Sequence, residues 1–126
     1  MTQMGLSLLT DFALPAGDPF WFLGGRTRVL VPGSATGSTM SVLEFDEVQG
    51  QAPPLHIHEG EEEVWIVSPR LRMVAVFAPA GIEEWFRKNG SPVSSPEEAP
   101  ASFDIGAIVA SAEAFQLRVA GPPPTA

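Results

Sequence analysis

The sequence predicts an all-β, antiparallel fold followed by two C-terminal helices. Between residues 20 and 78, short stretches rich in β-branched and aromatic residues alternate apolar with polar positions, as half-buried strands do. Glycine and proline clusters separate these stretches, which marks the turns between strands. After Pro79 the apolar residues recur at helical spacing instead. At 126 residues the chain is long enough for one domain with a shared core.

The first strands are predicted by a tight turn and by alternation. In FWFLGGRTRVLV, the pair Gly24-Gly25 separates two apolar runs, which indicates a hairpin. In STMSVLEFDEV, the residues Ser41, Leu43 and Phe45 fall on one face of a half-buried strand. Such one-sided burial is typical of antiparallel sheets.

Three further strands are predicted before the helices. Pro53-Pro54 fix extended backbone and cannot donate to a sheet, so the strand from Leu55 to His58 should begin at an edge or a bend. After an acidic turn, EVWIV returns the chain as the next strand. The alternating stretch RLRMVAVFAP forms another and ends at Pro79.

The two helices are predicted from their apolar faces and their first residues. In GIEEWFRKNG, the side chains of Ile82, Trp85 and Phe86 share a face, with acidic residues in the first turn and basic residues in the last. Asp104 is suited to cap the second helix, IGAIVASAEAF. We therefore divide the chain into a β-domain with the first helix, residues 1–90, and a Pro/Ser-rich linker with the second helix and a disordered tail, residues 91–126.

Charge and composition exclude several classes of partner. Seven Lys and Arg against fifteen Asp and Glu give a net charge of −8, which repels phosphate backbones and anionic lipid. The longest apolar stretch, from Met73 to Ile82, is too short to span a bilayer and contains Pro79. There is no cysteine, so disulfides and thiolate chemistry are excluded. We expect a soluble cytoplasmic protein that binds a small molecule, and neither nucleic acid nor membrane.

The stretch PPLHIHEGEEEVWIV contains both histidines of the chain. On a strand, His56 and His58 project to the same side about 6.6 Å apart. The acidic turn lets Glu63 face back from the next strand, which would complete a two-histidine, one-carboxylate set of metal ligands. The alternative is that the histidines are surface residues and that the glutamates only keep a turn soluble, namely Glu59, Glu61, Glu62 and Glu63.

The spacing of these residues resembles the first motif of the cupin superfamily. From Gly50 the chain reads G-x5-H-x-H-x4-E, ending at His56, His58 and Glu63. The flanking stretches FWFLGGRTRVLVPG, VLEF, VWIV and VAVFAPAGIEEWFRKNG are similar in style to small bacterial single-domain cupins related to quercetin dioxygenases. The resemblance implies a shortened jelly-roll β-barrel or sandwich. It also implies that the two histidines and the glutamate hold a divalent transition metal: iron, manganese, nickel, cobalt, copper or zinc.

The sequence departs from the cupin pattern after the first motif. The glycine expected six residues after Glu63 is missing, because Glu63 is followed by VWIVSPR. The second cupin motif is absent, and the chain has no third histidine to act as a fourth ligand. We interpret this as an internal deletion that removes the second motif and several strands. A barrel shortened in this way exposes sheet edges, so we expect a homodimer with exchanged strands, hinged at Ser68-Pro69, or with a shared sheet.

A substrate pocket is predicted beside the metal ligands. On strict alternation, Trp65 and Val67 lie on the same face as Glu63. With Phe45 and Met73 they are candidates to line the pocket, although aromatic residues in strands more often belong to the core.

The cupin resemblance implies a mononuclear metal-dependent dioxygenase acting on a small aromatic or flavonol-like molecule. Glu63 is then both a ligand and a candidate catalytic base. The competing hypothesis is a non-catalytic small-molecule-binding or structural cupin that has lost a working site, for which the missing motif and the missing histidine are the arguments. Isomerase or lyase chemistry also stays open, since one fold hosts many reactions.

Overall fold

The computed structural model describes residues 17–46, 55–68, 72–93, 100 and 102–122. These residues are mostly antiparallel β-sheet with two short α-helices. Their strands are β1 (Phe20–Phe22), β2 (Gly25–Val31), β3 (Ser41–Asp46), β4 (Leu55–His58), β5 (Glu62–Val67), β6 (Arg72–Ala78), β7 (Ser91–Pro92) and β8 (Leu117–Gly121). The helices are α1 (Ile82–Lys88) and α2 (Ile105–Ala112).

Six strands form one antiparallel sheet in the order β5-β6-β3-β2-β1-β7, and β4 pairs with β8 in a separate antiparallel pair. The predicted hairpin at Gly24 is confirmed, because Phe22 of β1 lies opposite Gly25 of β2. The antiparallel, mostly β architecture with two helices is confirmed as well. Over the described ranges the two sheets do not close into a barrel.

One face of the large sheet is covered by α1 and forms the core. The ring of Phe86 on α1 lies 4.8 Å from Phe22, 5.2 Å from Phe45 and 6.0 Å from Phe77, measured between ring centroids. These three rings come from β1, β3 and β6, so one helical side chain joins strands across the width of the sheet. The alternation predicted for β3 and β6 is confirmed by the burial of Leu43, Phe45, Ala75 and Phe77 on this face.

The segment after residue 100 packs on the same core. The carboxylate of Asp104 accepts a hydrogen bond from the amide of Ala107 at 3.0 Å, so the predicted cap of the second helix is confirmed. The buried residues Ile108, Ala112 and Leu117 belong to the same hydrophobic cluster as the strands. Strand β8 was not predicted as a strand. Its alternation covers only Leu117, Arg118 and Val119, and only its first residue is buried, so the strand signal in its sequence is weak.

Some predictions lie outside the described residues: Gly50 of the histidine motif, Pro69 of the hinge and the tail from residue 123. Strand β6, which the hinge would pass to a neighbouring copy, pairs with β3 and β5 of its own chain. In the described part of the chain, no helix is long and apolar enough to cross a membrane.

Glu83 is a buried carboxylate that ties α1 to the turn after β2. Its side chain accepts hydrogen bonds from the amide of Gly33 at 2.8 Å and from the amide of Gly81 at 2.7 Å, and the residue is only 3% exposed. A Cβ atom at Gly33 would lie 2.9 Å from Oε1 of Glu83, so the close approach requires glycine. Burial by itself raises the pKa of the Glu83 carboxyl. The amide hydrogen bonds of Glu83, Gly33 and Gly81 together outweigh burial and hold this pKa below its ordinary value.

Replacing Glu83 with glutamine should destabilise the protein in a pH-dependent way. Folding lowers the pKa of this carboxyl, so the ionised form stabilises the fold above the ordinary value of 4.5, and the contribution is lost as the pH falls below it. We expect Glu83→Gln to reduce the free energy of unfolding by about 2 kcal/mol at pH 7. The NH2 group of glutamine is a donor, and it would face one of the two backbone N–H groups that now donate to the carboxylate. Denaturant titrations at pH 7 and pH 3.5 measure the difference, which should shrink in acid. Glu84→Gln, at an exposed position, is the control, and an equal loss from Glu83→Gln at both pH values would contradict the expectation.

Candidate functional site

The two histidines lie on β4, between β8 and the large sheet. His56 is opposite Val119 of β8 and His58 is opposite Leu117, so β8 fixes the position of the backbone that carries both rings. The hydrogen bond from the amide of Glu59 to the carbonyl of Gln116, at 2.8 Å, continues this pairing past the end of β4. As predicted, both rings project to one side: their Nε2 atoms are 3.1 Å apart.

Glu61 determines the hydrogen-bonding state of His58. Its carboxylate contacts Nδ1 of His58, and its side chain is only 7% exposed. A carboxylate can only accept a hydrogen bond, so Nδ1 carries the hydrogen. In the neutral ring, Nε2 of His58 is then left with a lone pair directed toward His56. Metal-binding histidines are commonly held in this way by a carboxylate on the other ring nitrogen.

Glu63 reaches the same place from β5. Glu63 is opposite Phe77 of β6, and the ring of Phe77 lies 6.0 Å from the ring of His58. This register turns the Glu63 side chain toward the small sheet, and its Oε2 lies 3.3 Å from Nε2 of His58. The structure therefore brings together the three predicted ligands, His56, His58 and Glu63, from two different sheets.

Nε2 of His58 lies beside two groups, Nε2 of His56 and Oε2 of Glu63. In the neutral ring its lone pair can accept a hydrogen bond from an Nε2–H group of His56, whereas the carboxylate oxygen of Glu63 is a second acceptor and repels it. A metal ion between the groups would remove this repulsion. Donor atoms bound at about 2.1 Å to one metal lie about 3.0 to 3.4 Å apart in octahedral or tetrahedral geometry. The separations of 3.1 Å and 3.3 Å fall within that range.

The set of ligands is nevertheless incomplete as the side chains stand. Within the described residues, no group of three or more histidine or acidic side chains is disposed to hold a metal ion. The fit to a metal is therefore partial: the donor atoms are of the right kind and two of their separations are suitable, but they do not all surround one point.

The four predicted pocket residues lie together on the face of Glu63. Met73 is opposite Phe45 on one side and Val67 on the other, and the rings of Phe45 and Trp65 are 5.2 Å apart. Their burial differs, however. Phe45 is buried behind Trp65, and Met73 packs against the core, whereas Trp65 and Val67 are exposed. Of the four, Trp65 and Val67 are the two whose surfaces an approaching molecule would meet first.

A cavity of about 20 Å³ lies on the other side of His56. It is lined by His56, Trp85, Ile108, Val109, Ala112, Leu117 and Val119. A volume of this size holds about one water molecule. This cavity is therefore too small for an aromatic substrate, and it separates the His56 ring from the second helix.

Sequence reasoning assigned Glu61 only to a soluble turn, and missed its contact with His58. The one available signal was its position three residues after His58, on the far side of a tight turn. The pairing of β8 with β4, which are about 60 positions apart in the chain, could not be predicted from a local pattern.

Comparison of the chain with protein-family models, with curated proteins and with solved structures finds no match.

The contact with Glu61 predicts the tautomer of His58 in the metal-free protein. We expect the hydrogen of the neutral ring to lie on Nδ1, because the Glu61 carboxylate accepts it. Long-range nitrogen–proton NMR correlations at alkaline pH distinguish the two tautomers. Glu61→Gln should shift the ring toward the Nε2-H form. Glu59→Gln, which changes a neighbour bonded instead to Arg118, should not, and an Nε2-H form of His58 in the unmodified protein would contradict the assignment.

Proposed function

We propose that the chain is a cupin-like protein that binds one divalent transition metal through His56, His58 and Glu63. The observation that carries the proposal is that Nε2 of His58 lies 3.1 Å from Nε2 of His56 and 3.3 Å from Oε2 of Glu63. The G-x5-H-x-H-x4-E spacing supports the same three residues independently. Two antiparallel sheets with the histidines between them are also compatible with a shortened jelly roll.

In this proposal each residue has a separate task. His56 and His58 supply neutral nitrogen donors, and Glu61 holds the His58 ring in the required orientation and tautomer. Glu63 supplies a negative oxygen donor, which also favours a cation over a neutral ligand. A metal bound there would supply a Lewis acid for the oxygen atoms of a small molecule. Imidazole and carboxylate donors suit iron, manganese, nickel, cobalt, copper and zinc.

The proposed activity is oxidation of a small aromatic or flavonol-like molecule by molecular oxygen. Trp65 and Val67 offer an exposed apolar surface on the same face as Glu63, against which a planar ring can lie. The Glu63 carboxylate would accept a proton from a hydroxyl group of that molecule, which makes Glu63 the candidate catalytic base.

A second candidate is a binding module without catalysis. It is favoured by the incomplete set of ligands among the described residues and by the presence of only two histidines in the chain. In that case a proton on Nε2 of His58 balances Glu63, and the face around Trp65 holds a small molecule that is not transformed.

The two candidates differ first in metal binding. We expect about one divalent transition metal per chain after dialysis. His56→Ala, His58→Ala and Glu63→Gln should each weaken binding at least tenfold, and Glu61→Gln by about 10- to 100-fold because it acts through His58. Elemental analysis and calorimetric titration measure stoichiometry and affinity. Affinity should fall in acid, since protonated imidazole cannot bind a metal.

Glu62→Gln is the matched control, because Glu62 is an exposed neighbour of Glu63 whose side chain points to the other face of β5. Its affinity for metal should equal that of the unmodified protein. Protein that stays metal-free after dialysis against each of the six ions would eliminate the metal proposal and leave the binding module.

Catalysis is tested with metal-loaded protein. We expect oxygen consumption when a flavonol or a catechol is supplied, and loss of that consumption in Glu63→Gln even at metal concentrations that restore full occupancy. An oxygen electrode and mass spectrometry of the product provide the measurement. Substrate binding without oxygen uptake, across all the metals, would favour the non-catalytic candidate.

A further inference from the structure

Strand β5 is an exposed apolar edge of the large sheet. Among the described residues it pairs with β6 alone, and all six of its residues are exposed. Val64, Trp65, Ile66 and Val67 are 63%, 39%, 66% and 59% exposed. From Val64 to Val67 the strand has no charge, no proline and no irregularity in its pairing with β6, which are features that protect an edge from another chain. The charges of β5 are confined to Glu62 and Glu63 at its start.

The direction of the backbone groups of β5 follows from one hydrogen bond. The amide of Ser68 donates to the carbonyl of Arg72 at 2.9 Å, so Ser68 faces β6. Alternate residues of an antiparallel strand face opposite edges. Glu63, Trp65 and Val67 therefore direct their N–H and C=O groups away from β6, toward the open side of the sheet.

Charge determines which way a second β5 can pair. In a parallel, in-register pair, Glu62 and Glu63 of the two copies would lie about 4.8 Å apart and repel each other. In an antiparallel pair with Trp65 at its centre, the two Glu63 residues are four positions apart along the strand, about 13 Å. That distance exceeds the screening length of about 8 Å at physiological salt. Only the antiparallel arrangement separates the glutamates.

We propose that two copies of this chain pair through β5 about a two-fold axis at Trp65, joining their six-stranded sheets into one. In this register Trp65 faces the partner's Trp65, and Glu63 faces the partner's Val67. The three outward N–H groups of each copy then make six hydrogen bonds in all. This is the one antiparallel register in which every outward-facing residue of β5 pairs with another.

The outer face of the pair keeps the acidic side chains apart. In this register Glu62 of each copy comes opposite the partner's Ser68, a short uncharged residue. The guanidinium of Arg72 on the next strand is turned to β3 instead, where its Nε donates to Oδ1 of Asp46 at 3.1 Å. Glu62 therefore has no like charge directly opposite it across the pair.

The pairing also brings the partner to the histidine cluster. The Trp65 ring packs on Phe45 and Phe77 but stays partly exposed, and the partner's Trp65 lies beside it on the same face of the joined sheet, so the exposed apolar surface is extended. The partner's Val67 lies next to Glu63, whose Oε2 contacts His58. Each site is then bordered by residues of both copies, whether or not it holds a metal.

The first experiment removes one outward N–H group. Val67 is opposite Met73 in a pair without backbone hydrogen bonds, so Val67→Pro leaves the bonds to β6 intact and deletes only groups at the open edge. By sedimentation equilibrium in chelator, we expect a dimer for the unmodified protein and for Val67→Thr. For Val67→Pro the dissociation constant of the dimer should rise at least about 30-fold, because each dimer loses two hydrogen bonds. A monomeric unmodified protein at 100 μM, or a folded Val67→Pro that dimerises normally, would overturn the proposal.

The second experiment tests the register even if Val67→Pro fails to fold. The chain has no cysteine, so single cysteines can be introduced cleanly. Residue 65 alone is opposite itself across the axis, about 5.5 Å between Cα atoms, which suits a disulfide. Trp65→Cys should form a cross-linked dimer under mild oxidation, whereas Val67→Cys, opposite the partner's Glu63, should stay reduced. Cross-linking of Val67→Cys in preference to Trp65→Cys would overturn this pairing. Because both experiments use metal-free protein, their outcome is independent of the proposed metal binding.

Discussion

The rest of the structure depends on the contact between helix α1 and the inner face of the six-stranded sheet. The ring of Phe86 contacts Phe22, Phe45 and Phe77, which belong to three different strands. Glu83 fastens the start of the same helix to Gly33, fifty positions earlier in the chain. A non-directional apolar contact and two directional hydrogen bonds therefore act at the same helix. The apolar contact supplies most of the burial, and the hydrogen bonds fix the position of the helix along the sheet.

Strand β6 connects the helix contact with the candidate site. The ring of Phe77 packs against Phe86 of α1. Phe77 is also opposite Glu63 in the pairing of β6 with β5, and its ring lies 6.0 Å from the ring of His58. The carboxylate of Glu63 thus stands on the six-stranded sheet, whereas the histidines stand on the two-stranded pair of β4 with β8. Two short strands alone are marginally stable in water, so the histidine side of the cluster has to depend on its packing against the core. The candidate site is therefore divided between a six-stranded sheet and a two-stranded pair.

The sequence was informative wherever a local rule decided the structure. Alternation identified β3 and β6, the Gly24-Gly25 pair identified the first hairpin, and Asp104 identified the start of α2. Because alternate residues of a strand point to the same face, the sequence was also sufficient to place His56 and His58 on one side. Long-range contacts could not be read in the same way. Glu83 resembles any acidic residue in the first turn of a helix, and nothing local distinguishes it from the exposed Glu84.

The same limit explains what was missed at the site. Glu61 is one of four glutamates that follow His58 closely in the sequence, and only the fold shows that its carboxylate contacts Nδ1 of His58. Strand β8 alternates only over Leu117, Arg118 and Val119, which is too short a stretch to distinguish a strand from an irregular segment. Its partner on β4 is far away in sequence, beyond the range of any periodicity.

The pairing of β4 with β8 has a consequence for the order of events during synthesis. Glu59 and Arg118, which form an ion pair across this junction, are 59 positions apart in the chain. Contacts of such long sequence separation form slowly, since a long loop must close before they are gained. On the ribosome, where chains emerge from the amino end, the large sheet and α1 can assemble while β8 is still inside the exit tunnel. The histidines on β4 then have to wait for β8, and Ile108, Ala112 and Leu117 complete the shared core at the same late stage.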